Sequence, residues 1–406
     1  MAMAGSAIGL GNIWRFPYMA GQYGGAAFIL IYILCSFVLS LPIFLSEGLI
    51  GRRTHSNAIG AMKTLAPKSI WTALGYLSVI TPTVIVSYYS IVGGWAVEYF
   101  VKSFSLSFGD FIPEGWTVLA YGTVFLGISC LIVALGVKSG IEKFSKFSIP
   151  LLFVLIVVIL AYSLTMPGSE KGVEYLLKPD FSKLSGKTFA FALGQSFYSL
   201  SLGMGIIITY SSYISKDENL IVSGAGTAVA DLLFAILAGF AIIPAVFSAG
   251  IEPSSGPGLI FQTLPFVFGR MGEAHAWIGV VISALFFLTV TVAAMTSSVS
   301  LIEEKHLKRG WACLIVFLAV WVLGLVSVFS GKAFGLIDAF SSNFLLTVGA
   351  LLAVLFVGWK MKKEDVIEEL TNGGKVNTRI VPALYFLIRY IAPIAVLTIF
   401  ISNFIL

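Results

Sequence analysis

Long apolar runs separated by short polar stretches dominate this chain of 406 residues. Most runs exceed the roughly 20 residues that a helix needs to cross the apolar core of a bilayer. Their boundaries predict spans at 1-20, 26-50, 72-102, 116-136, 145-166, 188-213, 220-248, 275-302, 310-329, 335-360 and 380-404. The pattern therefore predicts an all-α integral membrane protein with about eleven transmembrane helices.

The first span departs from an ordinary helix pattern. The stretch from Ala4 to Tyr18, AGSAIGLGNIWRFPY, places three glycines in an apolar run and ends near a proline that follows a charged arginine. Glycine in a helix interior is less favourable than alanine by roughly 1 kcal/mol, so unwound backbone is predicted here. Such backbone persists at membrane depth only where it lines a cavity or is buried in protein. The alternative is close helix packing, because Gly5 and Gly9 fit a GxxxG spacing.

The sixth span has the same peculiarity. Between Gly194 and Tyr213 an apolar run is interrupted at its middle by Ser199, Ser201 and two glycines. Two interrupted spans five helices apart predict an inverted repeat of five plus five helices, with the eleventh outside it. The predicted units are 1-166, 188-360 and 380-404. This correspondence favours a binding site where the two broken helices meet over simple small-residue packing.

Composition narrows the class of protein. The chain is 58% hydrophobic and 11% charged, which excludes a soluble enzyme. Its net charge of +5 is scattered between apolar runs, so no nucleic-acid partner is predicted. The three cysteines and three histidines show neither metal-ligand spacing nor a nucleophile paired with a base. We therefore predict neither enzymatic activity nor an organic cofactor.

The positions of the basic residues predict the orientation. Most lysines and arginines lie in the loops after the even-numbered spans, which are therefore expected to face the cytoplasm. With eleven helices, the N-terminus is then cytoplasmic and the C-terminus external. Only about eight residues, or roughly 12 Å of helix, precede the glycine cluster. We expect that the natural N-terminus is longer.

Six segments, in chain order, resemble the neurotransmitter:sodium symporter family and its bacterial leucine-transporter branch. They are GSAIGLGNIWRFPY in the first span, SYYSIVGGW (Ser87–Trp95), KSGIEKFSKFSIP (Lys138–Pro150), QSFYSLSLGMG (Gln195–Gly205), GPGLIFQTLP (Gly256–Pro265) and AAMTSS (Ala293–Ser298). The resemblance covers essentially the whole chain. It implies the leucine-transporter fold and a sodium-coupled symporter in a bacterial inner membrane, which takes up a neutral, hydrophobic or aromatic amino acid by alternating access.

The resemblance also implies two bound sodium ions. Sodium is a hard cation, so its ligands are expected to be oxygen atoms. One ion would be held by the carbonyls of Gly5, Ile8 and Ala293 and the hydroxyls of Thr296 and Ser297. The other would be held by the Ala7 carbonyl, Asn12, Ser199 and Asp231, in contact with the substrate carboxylate. Taken alone, Thr296 and Ser297 are also typical of hydrogen bonding between helices.

Two residues depart from the pattern of the leucine-transporter branch, which has Asn at both positions. Asp231 places a carboxylate in a membrane span, where a charge is unfavourable and usually functional. We interpret it as a sodium ligand that also supplies the negative charge for which chloride serves in animal relatives. A titrating Asp231 would instead support a proton-coupled carrier. The second departure, Ser6, has no assigned role.

For the substrate, the resemblance assigns its carboxylate to the amides of Leu10 and Gly11 and to the Tyr89 hydroxyl. The carbonyls near Ala7, Phe197 and Ser199 would accept from its ammonium group. Gly9, where monoamine carriers have Asp, leaves room for a carboxylate. The side-chain pocket would be lined by Ile85, Phe197, Tyr198, Ser201, Met204, Ser300 and Leu301. This set offers no counter-charge, so a neutral side chain is expected; Tyr198, where the family has Phe, favours a somewhat polar one such as tyrosine.

Arg15 and Asp338 match the family's external gate pair, with Gln195 and Phe197 as a lid. The alternative for each charge is snorkelling to the interface. Glu47 is expected to anchor the cytoplasmic face, and Glu98 has no assigned role. Both a monomer and a homodimer are compatible with the sequence. A non-transporting amino-acid sensor or receptor on the same fold is the rival function.

Overall fold

A computed structural model of the chain describes residues 2–8, 11–103, 115–250, 308–375 and 379–405, and all regular structure in these ranges is helical. The first half contains α1 (Ala2–Ala7), α2 (Phe16–Gln22, after a π-helical turn at Gly11–Arg15), α3 (Ala26–Thr54), α4 (Ala58–Leu65), α5 (Thr72–Ser103), α6 (Trp116–Ala134), α7 (Lys143–Ser163, after a π-helical turn at Val137–Glu142) and α8 (Ser169–Leu177). The second half contains α9 (Gly186–Ser199), α10 (Ile206–Ser211), α11 (Leu220–Ala249), α12 (Arg309–Val328), α13 (Gly331–Lys360), α14 (Lys363–Leu370) and α15 (Val381–Ile401).

Among the described residues, 8 helices are long and apolar enough to cross a membrane. They are α3, α5, α6, α7, α11, α12, α13 and α15. The predicted first and sixth spans are each two short helices, α1 with α2 and α9 with α10. The predicted span 275-302 lies outside the described residues. The expectation of an all-α membrane fold with broken first and sixth helices is confirmed, whereas the division into two repeats stays a prediction.

Helix boundaries differ from the prediction by a few residues where a cap decides them. The helix predicted to begin at 335 begins at Gly331, because the Ser330 hydroxyl accepts from the Ala333 amide at 3.2 Å. At its other end, α3 runs four residues past the predicted 50 to Thr54, and His55 ends it in a left-handed conformation with φ of 48°.

The long helices pack into one continuous core. Helix α5 lies against α6 and α12, α11 lies against α7 and α8, and the short α10 lies against α3. Large apolar side chains on α6 and α12, such as Leu131 and Leu318, remain exposed on the outside of the bundle. An apolar outer surface is expected where lipid tails replace water. The two broken helices therefore lie inside a bundle that the unbroken helices insulate.

Candidate functional site

The site begins at the two interruptions of helix. Helix α1 ends at Ala7 and regular structure resumes at Gly11, while α9 ends at Ser199 and α10 begins at Ile206. The second connection has three residues with positive φ, which are Ser201 at 56°, Gly203 at 79° and Gly205 at 67°. Left-handed backbone cannot continue a helix, so the sequence itself ends α9 here.

Close packing explains why glycine occupies the centre of the second connection. A Cβ atom added at Gly203 would lie 2.0 Å from the Leu346 carbonyl oxygen of α13. The amide of Gly203 donates to Glu47 Oε1 of α3 at 2.6 Å. The connection is therefore held between α3 and α13, and its peptide groups are fixed at the level of the break.

Three predicted sodium ligands meet beside the breaks. Asp231 Oδ1 on α11 accepts from Asn12 Nδ2 at 2.6 Å and from the Ser199 hydroxyl at 2.7 Å. The Ser199 hydroxyl also lies 3.1 Å from Asn12 Oδ1, and Asn12 Nδ2 contacts the Asp231 carbonyl at 2.9 Å. All three residues are buried. They come from three separate helical segments, so tertiary packing alone brings these oxygen-bearing groups together.

Tyr32 is a member of this cluster that sequence reasoning missed. Its hydroxyl, in the N-terminal part of α3, donates to Asp231 Oδ2 at 3.1 Å, and its side chain is fully buried. In the apolar run FILIYILC a tyrosine looks like a packing residue. One feature of the sequence could have indicated its role: a tyrosine hydroxyl that is buried at membrane depth needs a hydrogen-bond partner.

The side chains that donate to Asp231 in the described part of the chain are neutral. Its hydrogen bonds come from an amide and two hydroxyls, and no lysine, arginine or histidine of the described residues forms an ion pair with it. A carboxylate buried in a membrane span is expected to have a cationic partner. The amide oxygen, hydroxyl oxygen and carboxylate here are the ligand types that a hard monovalent cation prefers.

The other predicted sodium site can be placed only in part. Gly5, Ala7 and Ile8 are buried at the end of α1. Gly5 lies against α7, because an added Cβ atom would be 2.7 Å from the Ser145 hydroxyl. Ala293, Thr296 and Ser297 lie outside the described residues. The first-helix residues of this predicted sodium site lie at the helix break, as expected. The complete site stays a prediction.

The predicted substrate residues that are described lie in the interior next to this cluster. They are Gly11, Ile85, Tyr89, Phe197, Tyr198, Ser199, Ser201 and Met204, all buried. Gly9, Leu10, Ser300 and Leu301 lie outside the described residues. The Gly11 carbonyl accepts from Gln195 Nε2 at 2.8 Å, which joins the start of the first-helix turn to α9. The buried Gln195 Oε1 has no hydrogen-bond partner among the described residues.

The predicted gate residues do not form a direct pair. The Arg15 guanidinium carbon lies 4.9 Å from the centre of the Tyr198 ring. Asp338 on α13 receives hydrogen bonds from its own helix, with the Ser342 hydroxyl 3.3 Å from its Oδ1. No ion pair within 4.0 Å joins these two described side chains, so pairing across the vestibule stays a prediction.

Glu47 was expected to anchor the cytoplasmic face. Its carboxylate instead contacts Gly203 in the connection between α9 and α10. It is buried, and its Oε2 has no hydrogen-bond partner among the described residues. Glu98 is buried on α5. The side chain of Ser6 is not among the side chains that the structure describes. For these last two residues the sequence and the structure assign no function.

A second polar cluster at the end of α3 was not predicted. Arg52 is buried, and its Nε lies 2.9 Å from Glu369 Oε2 on α14. Its Nη1 donates to the Glu218 carbonyl at 2.8 Å, which ties in the loop after α10. The neighbouring Arg53 pairs with Asp365 at 2.7 Å. These contacts explain why α3 extends to Thr54 and why the polar α14 is held against the bundle.

Comparisons with known proteins agree on one family. The profile of the Sodium:neurotransmitter symporter family matches residues 1–110 and 114–406. The sodium-dependent transporter YhdH of Bacillus subtilis is 37% identical over 434 aligned positions, covering 99% of this chain and 95% of the relative. A sodium-dependent transporter of Haemophilus influenzae is 34% identical, with 99% and 96% covered.

A solved structure is similar over the same length. The crystal structure of MhsT in complex with L-phenylalanine matches with a TM-score of 0.92 and 35% identity, covering 99% of this chain and 97% of that chain. More distant relatives include the sodium- and chloride-dependent GABA transporter 2 of Mus musculus, 25% identical over 88% of this chain. The fold and the sequence therefore match the same group of sodium-dependent carriers.

Proposed function

The chain belongs to the sodium:neurotransmitter symporter family, whose members are transporters and not enzymes, and from that premise we propose that it couples inward sodium movement to uptake of a neutral, hydrophobic or aromatic amino acid by alternating access. It is a sodium-dependent, multi-pass membrane transporter. The amino acid, the direction and the coupling are the parts proposed.

One observation carries the proposal: a buried carboxylate surrounded by neutral donors where the two broken helices meet. Asp231, Ser199 and Asn12 lie within hydrogen-bond distance of one another. A sodium ion bound by their oxygens and the Ala7 carbonyl neutralises Asp231. Its positive charge also attracts a substrate carboxylate to the turn at Gly11, so ion and amino acid bind more tightly together than either does alone.

A second sodium ion is proposed at the carbonyls of Gly5 and Ile8, with Ala293, Thr296 and Ser297 completing its shell. Support comes from the position of Gly5 and Ile8 at the end of α1, where helical hydrogen bonding stops. Carbonyls that are freed there can bind a cation. The ion would sit between the first broken helix and the predicted span 275-302, and would fix their separation.

A neutral, mainly apolar substrate fits the described part of the pocket. Ile85, Phe197 and Met204 are buried, and the predicted set contains no charged side chain. A charged substrate side chain would lose hydration there without compensation. The bound L-phenylalanine in the MhsT structure is consistent with this class of substrate.

Asp231 also supports transport that is independent of chloride. Tyr32 and Ser199 both donate to it, so donors that could bind an anion are satisfied by a carboxylate of the chain. We expect uptake to continue when gluconate replaces chloride. Uptake that requires chloride would contradict this role of Asp231 without contradicting sodium coupling.

The neutral surroundings of Asp231 also favour one alternative, in which a proton replaces sodium there. A proton would neutralise the carboxylate as sodium does. The two are distinguished by the driving force: uptake driven by a pH gradient in sodium-free buffer would support the proton. We favour sodium, because the amide oxygen of Asn12 and the hydroxyl of Ser199 provide additional ligands that a proton does not need.

For location and assembly, we propose a bacterial inner membrane with the N-terminus in the cytoplasm and the C-terminus outside, and either a monomer or a homodimer. The excess of basic residues in the loops after even-numbered spans supports this orientation.

The test uses purified protein in proteoliposomes. Each of the twenty amino acids is offered with an inward sodium gradient, and again with potassium or choline in place of sodium. We expect one or a few neutral amino acids to accumulate only with sodium. Accumulation that persists without sodium would contradict coupling, and saturable binding without accumulation or exchange would support the sensor instead.

A further inference from the structure

Tyr198 departs from the phenylalanine expected at its position, and its extra hydroxyl has a specific partner. The hydroxyls of Tyr198 on α9 and Tyr89 on α5 are hydrogen-bonded to each other. The two ring centres are 6.3 Å apart. Both side chains are buried, with exposed fractions of 8% for Tyr198 and 2% for Tyr89. The added hydroxyl is therefore used inside the protein and does not face solvent.

The ring of Tyr198 lies against Gly11, a residue of the predicted carboxylate site. A Cβ atom added at Gly11 would lie 3.0 Å from Tyr198 Cδ1, so the ring rests directly on the first-helix turn. The guanidinium carbon of Arg15, at the end of the same turn, lies 4.9 Å from the centre of the Tyr198 ring. Tyr198 thus contacts both the first residue of this turn and the predicted gate residue at its end. A ring in this position has to be held in place for the site to be closed.

The partner of Tyr198 is the residue to which the substrate carboxylate is assigned. A phenol hydroxyl donates one hydrogen bond and can accept another at the same time. Tyr89 can accept from Tyr198 while it donates its own proton to a carboxylate oxygen. A hydroxyl that donates to an anion becomes a better acceptor, because hydrogen bonds in a chain polarise one another.

We infer that the Tyr198 hydroxyl is a positioning group that closes the site in response to the substrate carboxylate, acting through Tyr89. The inference rests on the proposed function. A bound carboxylate strengthens the bond from Tyr198 to Tyr89 and keeps the ring in contact with Gly11 and Arg15. A ligand without a carboxylate binds without this closure. Tyr198 thereby adds selectivity for amino acids without touching the group that it selects.

The test compares L-phenylalanine with L-phenylalaninamide, which keeps the ammonium group and the ring but lacks the carboxylate charge. Binding is measured in sodium for the wild type and for Tyr198→Phe, which keeps the ring and removes only the hydroxyl. We expect phenylalanine to bind about threefold to tenfold more weakly to the variant, the range of one hydrogen bond. The change should lie in a faster dissociation rate, and the affinity for phenylalaninamide should be unchanged.

The matched control is Tyr76→Phe, because Tyr76 lies on α5 with 51% of its surface exposed. It should bind both ligands as the wild type does. Unchanged phenylalanine affinity and dissociation in Tyr198→Phe would overturn the inference, and so would an equal loss for both ligands, which would indicate a general packing role. A wild type that binds no amino acid in sodium would instead contradict the proposed function, and this inference with it.

Discussion

Two buried carboxylates differ in the source of their compensating charge. Glu369 on α14 lies 2.9 Å from the buried Arg52 near the end of α3, so the chain itself supplies its cation. Asp231 at the helix breaks is also buried, and from the described part of the chain it receives hydrogen bonds from the neutral side chains of Asn12, Ser199 and Tyr32 and no ion pair. In the first arrangement both charges are compensated by residues of the chain, as expected of a structural contact. The second provides ligands and a negative charge, and suits a cation that arrives from solution and leaves again.

The difference explains how burial alone can mislead. A buried ionisable residue in a membrane protein suggests function, yet Arg52 and Glu369 satisfy each other and fasten α14 to the bundle. The neighbouring groups distinguish the cases. A fixed cationic partner favours a structural role, and a shell of neutral oxygen-bearing groups favours an ion site.

The largest expected effect is on stability, from Arg52→Met. Loss of one partner from a buried ion pair typically destabilises by about 3–5 kcal/mol. Arg53 remains 3.6 Å from the other Glu369 oxygen, a longer contact that does not replace the lost hydrogen bond from Arg52. We expect a lower unfolding temperature in detergent that added sodium does not restore. Arg53→Met is the matched control, because 24% of the Arg53 side chain is exposed, its pairs with Asp365 and Glu368 are partly exposed, and its approach to Glu369 is longer at 3.6 Å. Its loss should therefore cost only about 0–1 kcal/mol. Equal destabilisation by the two variants would contradict the structural assignment.

The next effect is on sodium affinity, from Asp231→Asn. This change keeps an oxygen ligand and removes the charge. Since an interaction with a charged group contributes about 1.5–3 kcal/mol, half-saturating sodium should rise by about tenfold to a hundredfold. Sodium should also raise the unfolding temperature of the wild type, since it binds the folded state, and should do so much less for the variant.

The control for Asp231 is Asp217→Asn, whose side chain is 84% exposed. It should keep the wild-type sodium response. If Asp231→Asn titrates with sodium like the wild type, Asp231 is a structural carboxylate like Glu369, and the contrast between the two regions is wrong.

A smaller effect is expected from Ser199→Ala. The Ser199 hydroxyl lies 2.7 Å from Asp231 and 3.1 Å from Asn12 Oδ1, and it is one of several proposed ligands. Its loss should weaken sodium affinity by about threefold to tenfold. Ser196→Ala is the control on the same helix, since Ser196 is buried but bonds to Ser40 and Leu193. Equal shifts in half-saturating sodium would mean that any polar loss in α9 disturbs the site.

The sequence predicted which residues lie in membrane-spanning helices better than it predicted which side chains they contact. The run from 26 to 50 was recognisable as a span because its length and apolar character are local properties. The convergence of Asn12, Ser199 and Asp231 was also expected, through the family resemblance and the two interrupted helices. The structure brings these three together as that interpretation required, although the ion itself stays a prediction.

Partners that depend on packing between distant segments were missed. Arg52 and Glu369 are 317 positions apart, and their charges occur in stretches that look solvated. Tyr32 and Asp231 are 199 positions apart, and an isolated tyrosine in an apolar run has no local sign of its partner. Hydrophobic periodicity records the depth at which a residue lies. It carries no information about which side chain of another helix faces it.

The smallest effect is expected from Glu47→Gln, although Glu47 is also a buried carboxylate. Its Oε1 accepts from the Gly203 amide at 2.6 Å, a bond that a glutamine oxygen can also accept. Within the described ranges no side-chain hydroxyl or amide donates to Glu47 as three side chains do to Asp231, so Glu47 should not hold the transported ion. Half-saturating sodium should stay within about twofold of the wild type, whereas Glu47→Ala should destabilise by about 1–3 kcal/mol by stranding the Gly203 amide. A sodium shift in Glu47→Gln as large as that in Asp231→Asn would show that a shell of neutral oxygens does not distinguish the ion site.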